Sequence, residues 1–295
     1  MSELVKISII IVTYNSQNLL ADCLQSIIDH LDIPSEELEV IIVDNSAGKN
    51  AEEIKEIIGS HSINKNITTK YIHNSANLGY GQGNNVGIKN SSGEIVCIMN
   101  PDVRFGSKIL KNVIQQFQNT ALGLLAYKQI GGSNYSFYEK PEYKSSITGW
   151  KTKFLNKMNL FNSKTYYLSG AFFFLDKSKF EEIGLFDENI FMYYEEPDIA
   201  NRLQNKNYEI IYDKNFIYYH LVGERNDFNE NSFKKETEAL LYYIKKNNIK
   251  KEKYLKNLSA EFSLKIKIAK AMGDNARVAK FNNELELVKS YFDIK

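Results

Sequence analysis

The chain has 295 residues, 43% hydrophobic and 25% charged, a composition that excludes wholesale disorder. Its formal net charge of +1 leaves no global field of the kind a nucleic-acid partner needs. Cys23 and Cys97 make neither a disulfide framework nor a C-x-x-C pair, and read as buried, reduced thiols of a cytoplasmic protein.

Residues 7–12, Ile7-Ser8-Ile9-Ile10-Ile11-Val12, are a mostly apolar run after Lys6. The run is short, and Tyr14-Asn15 follow it without a small-residue cleavage site, so it predicts a buried strand rather than a signal peptide. No stretch approaches the ~20 apolar residues of a membrane span. Leu19, Leu20, Cys23, Leu24, Ile27, Ile28 and Leu31 repeat at helical spacing, with Asn15 or Ser16 as the N-cap. A strand at 40–43, a helix at 51–58, a strand at 70–72, a helix at 83–90, a strand at 94–99 and a helix at 107–118 follow. Such apolar strands, alternating with helices, predict a parallel sheet covered on both faces.

Beyond residue 120 the pattern loosens. A strand is expected at 122–126, and 135–165 is polar and aromatic without a clear period, a loop length that usually marks function or mobility. Then come a strand at 171–175, helices at 178–183 and 195–204, and a strand at 209–212. From about residue 232 strand signals cease, and helices are expected at 233–246, 251–271 and 275–292. Residues 231–295 hold 15 Lys and Arg against 8 Asp and Glu, a net of +7, which leaves about −6 for 1–230.

Ligands of an open parallel sheet bind beyond the carboxyl ends of its strands. The residues following the first four strands are Thr13-Tyr14-Asn15, Asp44-Asn45-Ser46, the stretch 74–85 and Asn100-Pro101-Asp102. Each alone is a common turn, but four polar clusters on one sheet edge make a site. The glycines of 79–83 do not follow the first strand and lack a following Gly-Lys-Ser/Thr, which excludes a dinucleotide fingerprint and a Walker A loop. Asp102 leaves a buried strand as a hard oxygen ligand suited to a divalent cation. In 195–204, Asp198 and Arg202 are spaced to pair, whereas Glu196 continues the apolar line Ile199, Ala200, Leu203. A carboxylate at the N-terminal end of an inward stripe can serve as a general base, burial raising its pKa and the helix N-terminus lowering it. His220, after the apolar run 216–219, becomes a ligand candidate once Asp102 marks a metal site.

Taken together these residues resemble the family 2 glycosyltransferases, inverting enzymes of the GT-A fold, and especially their bacterial rhamnosyltransferase-like branch. The matching pieces are 9–15, Val43-Asp44-Asn45-Ser46, Asn77-Leu78-Gly79, 84–88, 99–103, Ser169-Gly170-Ala171, Phe186-Asp187-Glu188 through Glu196, and His220, in the family's order over about residues 5–225. The resemblance implies an α/β fold of GT-A type: a mainly parallel, Rossmann-like sheet flanked by helices, with a C-terminal helical extension. The implied organisation is a glycosyltransferase domain over 1–230, with a nucleotide-sugar half at 1–120 and an acceptor half at 121–230, followed by a basic extension at 231–295. Thr13, Asn15, Asp44 and Asn45 would bind base and ribose, and Asn77, Gly79, Asn84 and Asn85 would border the diphosphate and donor sugar, with Asn100 beside them. Asp102 looks like the last acid of the family's Asp-x-Asp motif, binding Mg²⁺ or Mn²⁺, and His220 matches a further metal ligand of some members. Gly170 and Ala171 would line the acceptor side. Glu196 matches the general base, with Glu195 the open alternative.

The implied reaction moves a sugar from a nucleotide-diphosphate sugar to a hydroxyl of a glycan or lipid-linked acceptor, as in bacterial surface polysaccharide synthesis. Two rivals stay open: a nucleotide-sugar- or glycan-binding subunit of the same fold without catalysis, and a nucleotidyltransferase. The latter would carry a Gly- and Lys/Arg-rich loop after the first strand, where this chain has none. The +7 segment reads either as helices packed on the core or forming a homo-oligomer, or as a surface for an anionic membrane on its cytoplasmic face.

Overall fold

The computed structural model describes residues 5–132, 134–221 and 230–291. In chain order the regular elements begin β1 (Ile7–Thr13), α1 (Leu20–Asp29), β2 (Leu38–Asp44), α2 (Ala51–Ser60), β3 (Thr68–His73), α3 (Gly79–Lys89) and β4 (Ile95–Met99). Next come β5 (Val103–Phe105), α4 (Leu110–Gln116), β6 (Leu122–Ile130), β7 (Phe137–Glu139), α5 (Thr148–Met158), β8 (Tyr166–Leu168) and β9 (Phe172–Asp176). The remainder are α6 (Lys177–Glu182), α7 (Glu195–Asn205), β10 (Glu209–His220), α8 (Glu230–Lys246), α9 (Lys251–Ala271) and α10 (Asn275–Ser290).

Eight strands form one sheet in the order β3-β2-β1-β4-β9-β6-β10-β5. β1 to β4 are mutually parallel, and β10 is parallel to β6. β9 runs antiparallel to both β4 and β6, and β5 antiparallel to β10, so the sheet is mainly parallel with two reversed strands. Residues of β1, β2 and β4 are buried on both faces, which is why these strands read as mostly apolar runs rich in Ile and Val; the buried Ser8 and Glu39 that interrupt them bond to each other at 2.6 Å. α3 approaches the sheet closely along Gly83 and Gly87: a Cβ on Gly83 would lie 2.9 Å from Val12 Cγ1, and one on Gly87 2.4 Å from Ile10 Cγ2. Both cysteines are buried and unpaired.

Several expectations are corrected. Ser16 stands at the N-cap of a short 3-10 turn without capping it; its Oγ instead lies 3.0 Å from Thr13 Oγ1, while Asn15 adopts φ 52°. The helix expected from residue 83 starts at Gly79, because its glycines serve close packing rather than a loop. The strand expected at 209–212 continues to His220: Asp213-Lys214-Asn215 looks like a turn in sequence but forms a register shift against β6, after which pairing resumes. The short β5 carried no sequence signal. The stretch expected to be a long loop, 135–165, contains β7 and α5.

The chain divides into two compact units. One comprises the eight-stranded sheet with α1–α4, α6 and α7. In the other, β7, α5 and β8 group with α8–α10. Its core includes Leu240, Tyr243 and Ile244 of α8, Leu255, Phe262 and Ile266 of α9, and Leu285 and Val288 of α10. Lys144 and the buried Glu261 form an ion pair of 2.7 Å within it.

Candidate active site

Strand direction decides where the polar clusters go. β1, β2 and β3 end in register at Thr13, Asp44 and His73. The reversed β9 starts beside the end of β4, Phe172 opposite Met99, and β10 ends at His220 opposite Val103. All the predicted site residues therefore lie along or above one edge of one sheet.

On the β1–β3 side most polar side chains are engaged by the protein itself. Asp44 is buried, and its Oδ1 accepts from Ser46 N at 2.8 Å and its Oδ2 from Tyr71 Oη at 3.0 Å. Burial and this carboxylate push the Tyr71 phenol well above its usual range. Asn45 donates to Gly79 O at 2.9 Å and accepts from Asn74 at 2.7 Å, tying the ends of β2 and β3 to the start of α3. Asn77 Oδ1 accepts from Gly79 N at 3.0 Å in an Asx turn. Gly79 is required twice: its φ is +81°, and a Cβ there would sit 2.1 Å from Phe191 O. Asn85 clamps Phe186, donating to its carbonyl and accepting from its N–H, both at 3.0 Å. Asn84 donates to Tyr80 O at 3.0 Å and keeps a buried, unpartnered Oδ1. Asn15 accepts from the Asn50 amide at 3.0 Å. The amide groups of Asn45, Asn77 and Asn85 thus already hold backbone in place around the site.

The β4–β9–β10 side joins the remaining residues. Asn100 N donates to Ala171 O at 2.9 Å, locking the strand exit that carries Asp102 to the Ser169-Gly170-Ala171 segment. Gly170 faces α7: a Cβ there would lie 1.8 Å from Glu196 Oε1, so only glycine leaves room for that carboxylate. Tyr80 donates its hydroxyl to Gly170 O at 2.5 Å. Its ring meets Phe186 edge-on, and burial with Glu196 and Glu195 nearby raises its pKa far above the usual range. Sequence reasoning did not single out Tyr80, Tyr71 or Asn74; their contacts span distant parts of the chain.

At the start of α7, Glu195 is only 2% exposed and its Oε1 has no hydrogen-bond partner, while Glu196 is half-buried. Burial raises the Glu196 carboxyl from 4.5 to about 7. Burial, then the neighbouring Glu196, raises Glu195 well above the usual carboxylate range. Asp198 instead pairs with Arg202, Nε to Oδ2 at 2.9 Å, as its spacing predicts. Tyr193 and Tyr194 both adopt left-handed φ, 75° and 67°, immediately before the acids. Two consecutive bulky residues in that region store strain, which is concentrated where the helix is aimed at Gly170.

His220 Nε2 faces Asp102 Oδ2 at 3.4 Å, and neither ring nitrogen has a hydrogen-bond partner although both are buried. An imidazole with unsatisfied nitrogens beside a carboxylate fits a divalent cation. Among the described residues no three His, Cys, Asp or Glu side chains form a metal-holding group, and Asp102 with His220 is the pair these residues bring together.

The sheet order, the reversed β9 and the edge at which these groups converge define a GT-A type fold. The chain belongs to glycosyl transferase family 2, whose model matches residues 8–184. It is 25% identical over 214 residues to the low-salt glycan biosynthesis hexosyltransferase Agl10 of Haloferax volcanii, covering 69% of this chain and 63% of that protein. It is 27% identical over 222 residues to a poly-β-1,6-N-acetyl-D-glucosamine synthase of Staphylococcus epidermidis, covering 74% of this chain but 50% of the synthase. The chain thus spans half to under two thirds of these relatives. The mannosyltransferase PcManGT from Pyrobaculum calidifontis, solved with GDP-Man and Mn²⁺, has the same fold: TM-score 0.64 at 14% identity, over 97% of this chain and 82% of that one.

Proposed function

We propose that the protein is an inverting glycosyltransferase that moves a sugar from a nucleotide-diphosphate sugar to a hydroxyl of a glycan or lipid-linked acceptor. The observation that carries this reading is the Glu196 carboxylate against Gly170, with its pKa raised to about 7. A base poised near neutrality takes the proton of the attacking hydroxyl most effectively. Tyr80, bonded to Gly170 O, holds the floor on which that hydroxyl would rest. Thr13, Asn15 and Asp44 would border the base and ribose, and the α3 entrance at Gly79, with Asn84 and Asn100, would border the diphosphate and sugar. Asp102 and His220 would hold Mg²⁺ or Mn²⁺, which when bound neutralises charge on the departing diphosphate. Inversion follows from attack on the face opposite the leaving group. The relatives' roles in glycan and polysaccharide synthesis support a surface-glycan setting and a hexosyl donor; a rhamnosyl donor rests on the sequence resemblance alone. A lipid-linked acceptor supports a peripheral position on the cytoplasmic face of a membrane; among the described residues no helix is long and apolar enough to cross one.

Glu196→Gln keeps the shape and removes the proton acceptor. Turnover of donor with acceptor should fall by roughly 10²–10⁴-fold while donor binding survives. Glu195→Gln should do less; a reversed ranking assigns the base to Glu195. The lone carboxylate of Asn100-Pro101-Asp102 favours one second reading, a nucleotide-sugar-binding subunit. Wild-type protein that binds donor but releases no nucleoside diphosphate with any acceptor would support it.

A further inference from the structure

We propose that α5 is the membrane-docking surface of this protein, lying flat in the interface of an anionic bilayer. The inference rests on the peripheral part of the reading above and names the residues responsible. α5 is inverted relative to an ordinary surface helix. Its inward residues are polar: Thr148, Thr152 and Asn156, spaced i, i+4, i+8, are buried. Thr148 and Asn156 are held by the second unit's own backbone and acid, while the Thr152 hydroxyl is buried without a hydrogen-bond partner. Asn156 donates to Phe137 O at 2.9 Å and accepts from Phe137 N at 3.3 Å, and Thr148 donates to the buried Glu139 carboxylate. Lys151 pairs with the same carboxylate at 2.8 Å. These bonds fix the rotation of the helix, so its outward face cannot turn inward without breaking them.

That outward face is apolar. Ile147, Trp150, Phe154 and Met158, spaced i, i+3, i+7, i+11, are 56%, 66%, 61% and 51% exposed, and Leu160 just beyond is 54% exposed. A helix in water turns such a stripe toward the core, and a contiguous apolar patch left outside marks an interaction surface. The occupant is indicated by charge. Residues 143–175 contain five lysines and no Asp, Glu or Arg; Lys144 and Lys151 pair with Glu261 and Glu139, which leaves Lys153, Lys157 and Lys164 as the charge this face offers. Lys153, Lys157 and Lys164 are exposed, and Lys151 lies on the other flank of the stripe. Lysines beside an apolar face extend their ammonium groups toward phosphates while their stems and the aromatic rings enter the acyl boundary. A second copy of this face would bring like charges together, so a lipid surface with anionic headgroups is the better partner. The helix has 11 residues and lies on the membrane rather than crossing it.

Trp150 is the only tryptophan of the chain, so its emission reports this surface alone. The full-length protein is mixed with vesicles of phosphatidylcholine, or of phosphatidylcholine with phosphatidylglycerol, without donor or acceptor. The expected result is co-sedimentation and a blue shift of Trp150 emission with the anionic vesicles, weakened by salt. Phe154→Glu with Met158→Glu should weaken co-sedimentation roughly tenfold or more, because binding scales with buried apolar area. Both positions are exposed, and an unchanged circular dichroism melt confirms that the variant folds. Wild-type protein that stays in the supernatant at low salt overturns both the docking surface and the peripheral position. A variant that sediments as well as wild type overturns α5 alone and leaves the peripheral position standing. A wild-type dimer in solution that the double variant makes monomeric, without vesicle binding, assigns the face to a second copy and overturns the lipid proposal. Transfer chemistry is not read in any arm, so its failure is separately visible through Glu196→Gln.

Discussion

Glu196 shows how one residue carries opposed demands. Its carboxylate is confined against Gly170, and burial lifts its pKa to about 7. Between the ordinary 4.5 and about 7 the folded protein keeps a proton that the unfolded chain has released, so stability declines as pH rises through that window. Glu196→Gln removes this loss. Thermal unfolding should show the variant matching wild type in acid and exceeding it by about 1–3 kcal/mol above neutrality. The proposed base would work only when ionised, so wild-type kcat/KM should rise with pH along a limb centred near about 7, and the residual activity of the variant should lack that limb. The inward line Glu196, Ile199, Ala200, Leu203 was legible as helical spacing. The deeper burial of Glu195 was not, because it depends on how the strained Tyr193-Tyr194 turn aims the first turn of α7.

At the scale of elements, α3 shows why glycine-rich sequence is ambiguous. Gly79 answers a backbone requirement, while Gly83 and Gly87, one helical turn apart, answer a packing one. Gly87→Ala places a methyl group 2.4 Å from Ile10 Cγ2, and β1 has no room to yield. Overpacking should destabilise the fold by about 1–3 kcal/mol, read as a lower denaturant midpoint at unchanged slope. Gly59→Ala in α2 is the control: nothing lies within 4 Å of its Cβ, and the variant should gain about 0.4–1 kcal/mol from the unfolded state. The pattern of α5 was unreadable for a related reason. Polar residues inward and apolar residues outward invert the usual rule, so the periodicity carried no label for which face was the core.

At the scale of the molecule, the proposed metal pair depends on topology. Asp102 and His220 are far apart in sequence and meet because β10 crosses to lie beside β6 and pairs with β5, setting His220 opposite Val103. Asp102→Ala should abolish most of the Mn²⁺-linked gain in nucleoside diphosphate affinity, at least the roughly tenfold that even outer-shell partners are worth. His220→Ala should weaken it less, because a neutral imidazole brings no charge. Calorimetry with and without Mn²⁺ measures both, and an unchanged metal-linked affinity in Asp102→Ala would remove the assignment.

The amino-acid sequence by itself determined the parallel half of the sheet, because strands buried on both faces are predominantly apolar, as β1, β2 and β4 are apart from Ser8, Glu39 and the polar strand ends Thr13 and Asp44. It also determined that the polar residues after those strands share one edge, since parallel strands end on the same side. The tertiary structure decided how each of those side chains is engaged, since Asn45, Asn77 and Asn85 bond to backbone groups while the exposed Asn15 meets only the Asn50 side chain. It decided as well that Gly170 accommodates Glu196 and that Tyr80 supports Gly170. These contacts join residues from separate elements, and no local periodicity records them: spacing reports which face a residue occupies, whereas only the packed chain sets what stands opposite it.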